Sequence, residues 1–214
     1  GFFNDLVMEF KGLRKDAFVR GDTSLEKLAK LKPAFDLTGT GTLTAGNSTP
    51  LTDGAAAVLL TSETAAKQNH FPLLARFVDA EVAGVDFVHG EGLLMAPTMA
   101  VSRLLQRNQL TLQDFDFYEI HEAFAGQVLC TLKAWESPEY CRDVLNRNAP
   151  MGSIDLSKLN VNGSSLALGH PFAATGARIV GTLAKLLHER GQGRGLISIC
   201  TAGGMGVAAI LEAV

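Results

Sequence analysis

Leu196-Ile197-Ser198-Ile199-Cys200-Thr201-Ala202-Gly203-Gly204-Met205-Gly206-Val207-Ala208-Ala209-Ile210 holds two short apolar runs divided by a glycine-rich turn. Runs of this length between turn residues read as buried strands, here 195–200 and 206–213, joined antiparallel by the short loop. Upstream, the pattern alternates. A strand at 73–85 precedes a helix at 97–107, a strand at 115–120 and a helix at 122–135. After a Ser/Pro/Asn-rich interval come a short strand at 159–162 and a helix at 171–190 begun by Pro171. The order βαβαβαββ predicts an α/β domain with a five-stranded mixed sheet, mainly parallel, whose final pair adds an antiparallel edge. Ligands of such sheets gather at the carboxyl ends of strands, where His121, His170 and Cys200 all fall.

The amino-terminal part is less regular. Leu25, Leu28 and Leu31 keep helical spacing up to Pro33, residues 38–42 read as a loop, and no self-contained core is visible before residue 46. Asp53-Gly54 followed by Ala55-Ala56-Ala57-Val58-Leu59-Leu60 predicts a short small-residue helix running into a buried strand, with no evident neighbour to pair with.

At 214 residues and 47% hydrophobic content the chain can bury a sizeable core. Its formal charge of −3, with both signs interleaved, gives no basic footprint for nucleic acid and favours small-molecule partners. Three cysteines, Cys130, Cys141 and Cys200, without a CxxC pair, indicate neither a disulfide framework nor a zinc site, and fit a reducing compartment. Residues 195–211 are broken by Gly203, Gly204 and Gly206, which argues against a membrane span. The first residues lack the basic start and apolar stretch of a signal peptide, and the terminus reads as cut.

Three side chains carry the chemistry. Cys200 ends a strand on a turn whose backbone N–H groups can hold a developing oxyanion. A thiol there can also act as acid or base, although many free cysteines are simply small hydrophobes. His170 precedes a helix start rich in small residues, where the macrodipole keeps an imidazole neutral; it also reads as a plain helix cap. His121-Glu122-Ala123-Phe124-Ala125 lies at a strand-to-helix turn, with Phe124, Val128 and Leu132 on the buried helix face. An exposed His-Glu pair at a helix start is the competing reading. A zincin would need histidine where Ala125 stands, so no metal site is expected. Gly204-x-Gly206-x-x-Ala209 has too few following residues for a dinucleotide fold, and Gly163-Ser164-Ser165-Leu166-Ala167 is not a nucleophile elbow. Cys130 and Cys141 are expected to be structural.

Together with Gly169-His170-Pro171-Phe172-Ala173-Ala174-Thr175-Gly176 and the Cys200 turn, the His121 segment resembles the active-site loops of thiolases, the 3-ketoacyl-CoA thiolases and acetyl-CoA acetyltransferases. The stretch from Thr42 to Ala57 resembles the place where the family's CoA-binding loop domain returns to its amino-terminal domain. The resemblance implies a thiolase-like layered fold: a loop-domain remnant at 1–50, the last helix and strand of the amino-terminal domain at 51–69, and the carboxy-terminal domain at 70–214. Histidine at 121, with Phe172-Ala173-Ala174-Thr175 and Ala202, is similar to the thiolase subunit of fatty-acid-oxidation complexes.

By that resemblance Cys200 is the acid/base cysteine, His170 activates the nucleophilic thiol, and His121 contributes to the oxyanion site. Thr49, Phe172, Ala202 and Gly203 are expected at the substrate, which is a CoA thioester with coenzyme A as co-substrate and no bound cofactor. Thiolysis is expected, with acetyl-CoA condensation, a noncatalytic scaffold and a ketoacyl synthase relative as alternatives. The resemblance further implies a homodimer or tetramer, a hydratase/dehydrogenase subunit as partner, and a cytoplasmic location in a bacterium or a mitochondrial one in a eukaryote. No residue matches the motif of the family's nucleophilic cysteine, so the chain is expected to be inactive alone.

Overall fold

Alternate residues of the last two apolar runs face opposite ways, and the fold buries both sets. The computed structural model describes residues 1–90 and 92–214. In chain order the elements are α1 (Leu25–Leu28), α2 (Glu63–Gln68), β1 (Arg76–Gly84), α3 (Ala96–Arg107), β2 (Phe117–Ile120) and α4 (Ala125–Glu136). They continue with α5 (Pro138–Asp143), α6 (Ser165–Leu168), α7 (Ala174–Arg190), β3 (Arg194–Thr201) and β4 (Met205–Glu212). Leu196, Ala208 and Ile210 join the core built with α3 and α4, while Ile197, Ala209 and Leu211 pack with Ile179, Leu183 and Leu187 of α7. A sheet covered on both faces in this way explains why its strands read as continuous apolar runs.

The described strands form one four-stranded mixed sheet in the order β1-β4-β3-β2. This corrects the expected five strands, and it moves the antiparallel strand from the edge to the interior. β4 runs antiparallel to both neighbours, β1 and β3, and only β2 and β3 form a parallel pair. The missing strand was expected at 159–162. There, Leu159 makes a single parallel bridge to Tyr118. Asn160 then enters the left-handed region at φ 46° and turns the chain, with the Gly163 N–H bonded to its carbonyl. Its side chain continues what a strand would have done: Oδ1 accepts the Ile120 N–H and Nδ2 donates to the Ile120 carbonyl, both at 2.9 Å.

Two helix starts also differ from expectation. The 171–190 helix begins at Ala174, because Phe172 adopts φ 35°, outside helical geometry. The 122–135 helix begins at Ala125, because residues 123–125 are drawn into extended pairing with 47–49. That pairing includes Thr49 N–H to Ala123 O at 3.0 Å, Ala125 N–H to Asn47 O at 2.9 Å and a bridge between Ser48 and Phe124. Residues 54–60 form neither the expected helix nor the buried strand. They run without a regular partner among the described residues, leaving Leu59 71% and Leu60 67% exposed.

Glycine decides how closely the layers approach. A Cβ on Gly206, which pairs with Cys200 across the β3–β4 ladder, would fall 2.4 Å from the Pro97 nitrogen and 2.6 Å from the Ala96 carbonyl carbon. The obstacle is backbone at the start of α3 and cannot rotate aside. Gly206→Ala is therefore expected to destabilise the fold by about 2 kcal/mol, the usual size of an overpacking penalty. Urea unfolding checks this, and an unchanged midpoint would mean that α3 shifts freely.

Candidate active site

Parallel pairing of β2 with β3 brings two of the expected residues to one rim. Ile120 pairs with Ser198, and the next residue, His121, donates its backbone N–H to Ser198 O at 2.9 Å, two positions before Cys200. His121 and Cys200 line one small cleft, together with Pro97, Ile120 and Gln127. His170 arrives from the loop between α6 and α7. Its backbone N–H is held by Pro50 O at 2.9 Å, and Leu51 bridges to it in parallel. The two imidazoles lie 4.3 Å apart between ring centroids. Gly169, at φ 88°, is what lets this loop pass Thr52, since a Cβ there would fall 2.5 Å from the threonine methyl.

Burial sets the charge states. Desolvation, with His170 and Arg178 nearby, pushes the His121 imidazole down to about 3. His170 is also lowered, by burial first and Arg178 second, and its Nδ1 lies 2.7 Å from Thr175 Oγ1. Both rings are neutral at pH 7. The Cys200 thiol is pushed up to about 11 by burial, against a smaller opposing effect of its own and the Ala123 backbone N–H groups. At neutral pH it is a protonated thiol, an acid that becomes a strong base once its proton has left.

The remaining expected residues are less uniformly placed. Thr49 Oγ1 donates to Ser165 O at 2.6 Å, so its hydroxyl fastens the 47–51 segment to α6. Phe172 is 66% exposed and meets the His170 ring edge-on at 5.2 Å. Ala202 and Gly203 sit at the exposed β3–β4 turn, outside the cleft lining; Ala202 avoids the left-handed region that Gly203 occupies at φ 83°. Cys141 is buried, with Sγ 3.4 Å from Trp135 O, whereas Cys130 is exposed on α4. No cluster that could hold a metal ion occurs among the described residues.

Sequence reasoning missed a polar layer beneath the histidines. Ser165 Oγ lies 2.7 Å from His121 Nδ1 and accepts from Arg178 Nη2 at 2.9 Å. Asn160 Nδ2 donates to Glu122 Oε1 at 2.8 Å, and the other Glu122 oxygen accepts the Leu166 N–H at 3.0 Å. Glu119 on β2 is fully buried without a hydrogen-bond partner, and burial pushes its carboxyl up to about 8 despite Arg178. Only Arg178 left a visible signal, as a cation placed among the small residues of the α7 start.

Comparison with known proteins agrees with this architecture. The family model described as the thiolase C-terminal domain matches residues 71–213, and that of the thiolase N-terminal domain matches residues 4–64. A 3-ketoacyl-CoA thiolase of Yersinia pestis (strain Pestoides F) is 45% identical over 218 residues, covering 99% of this chain and 49% of the relative. The dimeric peroxisomal thiolase of Saccharomyces cerevisiae superposes with a TM-score of 0.79 at 35% identity, over 94% of this chain and 46% of that one. Human mitochondrial 3-ketoacyl-CoA thiolase in complex with CoA gives 0.80 at 36% identity, over 100% of this chain and 50% of that one. The chain thus spans about half the length of the curated relatives it matches. A family model running through most of the chain, on a fold and a histidine-cysteine rim that agree with it, establishes that this chain belongs to the thiolase family.

Proposed function

We propose that this chain supplies the acid/base and oxyanion half of an acyltransferase that cleaves 3-ketoacyl-CoA with coenzyme A, giving acetyl-CoA and a shortened acyl-CoA. The observation that carries the reading is the meeting of His121 and Cys200 in one cleft, with the His170 ring 4.3 Å from that of His121. Neutral His170 accepts the proton of a nucleophilic thiol contributed from beyond residues 1–214, since Cys130 is exposed on α4 and Cys141 is buried against the Trp135 carbonyl. The thiolate adds to the 3-keto carbon, and the bond between carbons 2 and 3 then breaks. Its electron pair leaves as the acetyl-CoA enolate, whose oxygen is held by the His121 side of the cleft. Cys200 gives its proton to carbon 2. The Cys200 thiolate then takes the proton of incoming CoA, whose sulfur attacks the acyl-enzyme and restores the first thiolate.

In this reading 70–214 is the carboxy-terminal domain, 51–69 closes the amino-terminal one, and 1–50 is a remnant of the loop that holds CoA. Thr49, Phe172, Ala202 and Gly203 border the thioester. The dimeric yeast relative supports a homodimer or tetramer. The exposed apolar run 58–60 supports cover by further protein. A fatty-acid-oxidation setting, with a hydratase/dehydrogenase partner and a cytoplasmic or mitochondrial location, follows from the same likeness.

The product of the complete gene, incubated with a 3-ketoacyl-CoA and CoA, should release acetyl-CoA and an acyl-CoA two carbons shorter, read by mass spectrometry. Absence of both across short and long acyl chains would sink the proposal.

A further inference from the structure

The two ring nitrogens of His121 have different surroundings, and the buried layer beneath the ring allows one assignment of protons. A guanidinium only donates, so the Ser165 hydroxyl accepts from Arg178 Nη2 at 2.9 Å. Its own hydrogen then needs an acceptor. Ser165 is fully buried, which excludes bulk water, and the other side-chain partner of its Oγ among the described residues is His121 Nδ1 at 2.7 Å. A hydrogen bond in that direction makes Nδ1 the acceptor and leaves the proton of the neutral ring on Nε2. The reverse assignment would aim two donors at Ser165 Oγ and strand a buried hydroxyl hydrogen. Nε2, on the far side of the ring, is buried without a protein partner, in a residue that lines the cleft with Cys200.

We propose that Ser165, oriented by Arg178, is a positioning residue that fixes His121 as the Nε2–H tautomer, so that this N–H is the oxyanion donor of the cleft. The catalytic half of this inference rests on the acyl-CoA reading above; the tautomer half does not. The arrangement works through a neutral donor: the arginine charge is set one hydroxyl away from the ring, and its proximity disfavours a second proton on the imidazole. Direction is thus imposed on the ring without making it cationic, and the N–H is preorganised before any substrate arrives.

Nitrogen-15 NMR of the histidine-labelled chain reads the tautomer directly, because pyrrole-like and pyridine-like ring nitrogens resonate far apart; loss of signals in His121→Asn assigns them. The expected spectrum has a pyrrole-like Nε2 and a pyridine-like Nδ1, and Ser165→Ala should mix the two forms while Ser165→Thr retains the first. A pyrrole-like Nδ1 in the unaltered chain, or an unchanged ratio in folded Ser165→Ala, would overturn the assignment. In the complete gene product Ser165→Ala should lower kcat roughly 10- to 100-fold with KM little changed, the usual effect of losing a group that orients a histidine, and Ser165→Thr should restore it. A mixed tautomer with undiminished kcat would overturn the catalytic half. The expected tautomer in a gene product that cleaves no 3-ketoacyl-CoA would refute the proposed reaction instead, leaving the proton assignment standing.

Discussion

Cys200→Ser in the complete gene product should reduce steady-state thiolysis by roughly 10²- to 10⁴-fold, the contribution of a general acid/base. The acyl-enzyme should still form from an acyl-CoA. Cys200 lies near the end of β3 opposite Gly206, so its sulfur is placed by two strands and has little freedom to be replaced by a neighbour. Burial holds the thiol up to about 11. That value suits transfer to and from carbon, because a weakly acidic thiol leaves a thiolate basic enough to take the proton of CoA. Serine keeps the shape but gives up its proton far less readily, so carbon protonation fails and no base is left to activate CoA. In the proposed reaction, acyl transfer from a simple acyl-CoA to the nucleophile is assigned to His170 instead. Intact mass after incubation with acyl-CoA should therefore show the adduct in Cys200→Ser, while acetyl-CoA release from a 3-ketoacyl-CoA nearly stops. Undiminished turnover would reduce Cys200 to a packing sulfur, and loss of the adduct would show that the substitution disturbs His170.

What could be read from sequence followed how local each signal was. The β3–β4 pair was legible because its apolar runs and glycine turn lie in one stretch, and the rim position of His121 and Cys200 followed from strand ends alone. The interior place of β4 was not legible, since periodicity gives strands but no neighbour order; β1 pairs with β4 across more than half the chain. The false strand at 159–162 failed on one residue. Asn160 turns in the left-handed region and pairs through its side chain, a substitution of amide for backbone that leaves no periodic trace. Ser165 and Arg178 were passed over for a related reason: Ser165 touches His121 and Arg178 touches Ser165, and neither lies near the histidine in sequence. The delayed starts of α4 and α7 have the same origin, for they are set by residues 47–49 and by the backbone of Phe172, and helical spacing reports neither.

Glu119→Gln should make the chain more stable near neutral pH and should flatten its dependence on pH. Glu119 shares the α7 side of β2 with Phe117, fully buried and without a hydrogen-bond partner for either oxygen. Desolvation raises its carboxyl from 4.5 to about 8; Arg178 opposes this incompletely and Glu122 adds to it. The folded chain therefore keeps this proton through a range in which the unfolded chain has lost it. Below the unfolded value both states hold the proton and nothing is lost; as pH climbs toward the folded value, stability falls by about 1.4 kcal/mol per unit. Between about pH 5 and about pH 7.5 the loss attributable to Glu119 is about 3 kcal/mol. Glutamine resembles the protonated acid and has no such slope. Other carboxylates change with pH in the opposite sense, as at Asp79, which Arg107 and Asn108 hold down at about 2. Their effect is common to both proteins and cancels in the difference. Urea unfolding of the two at each pH should give a gap in favour of Glu119→Gln that widens by about 3 kcal/mol from the acid end to the other. Parallel curves would mean that Arg178 keeps Glu119 ionised in the fold, and that the layer beneath His121 carries a paired charge where a neutral acid is expected.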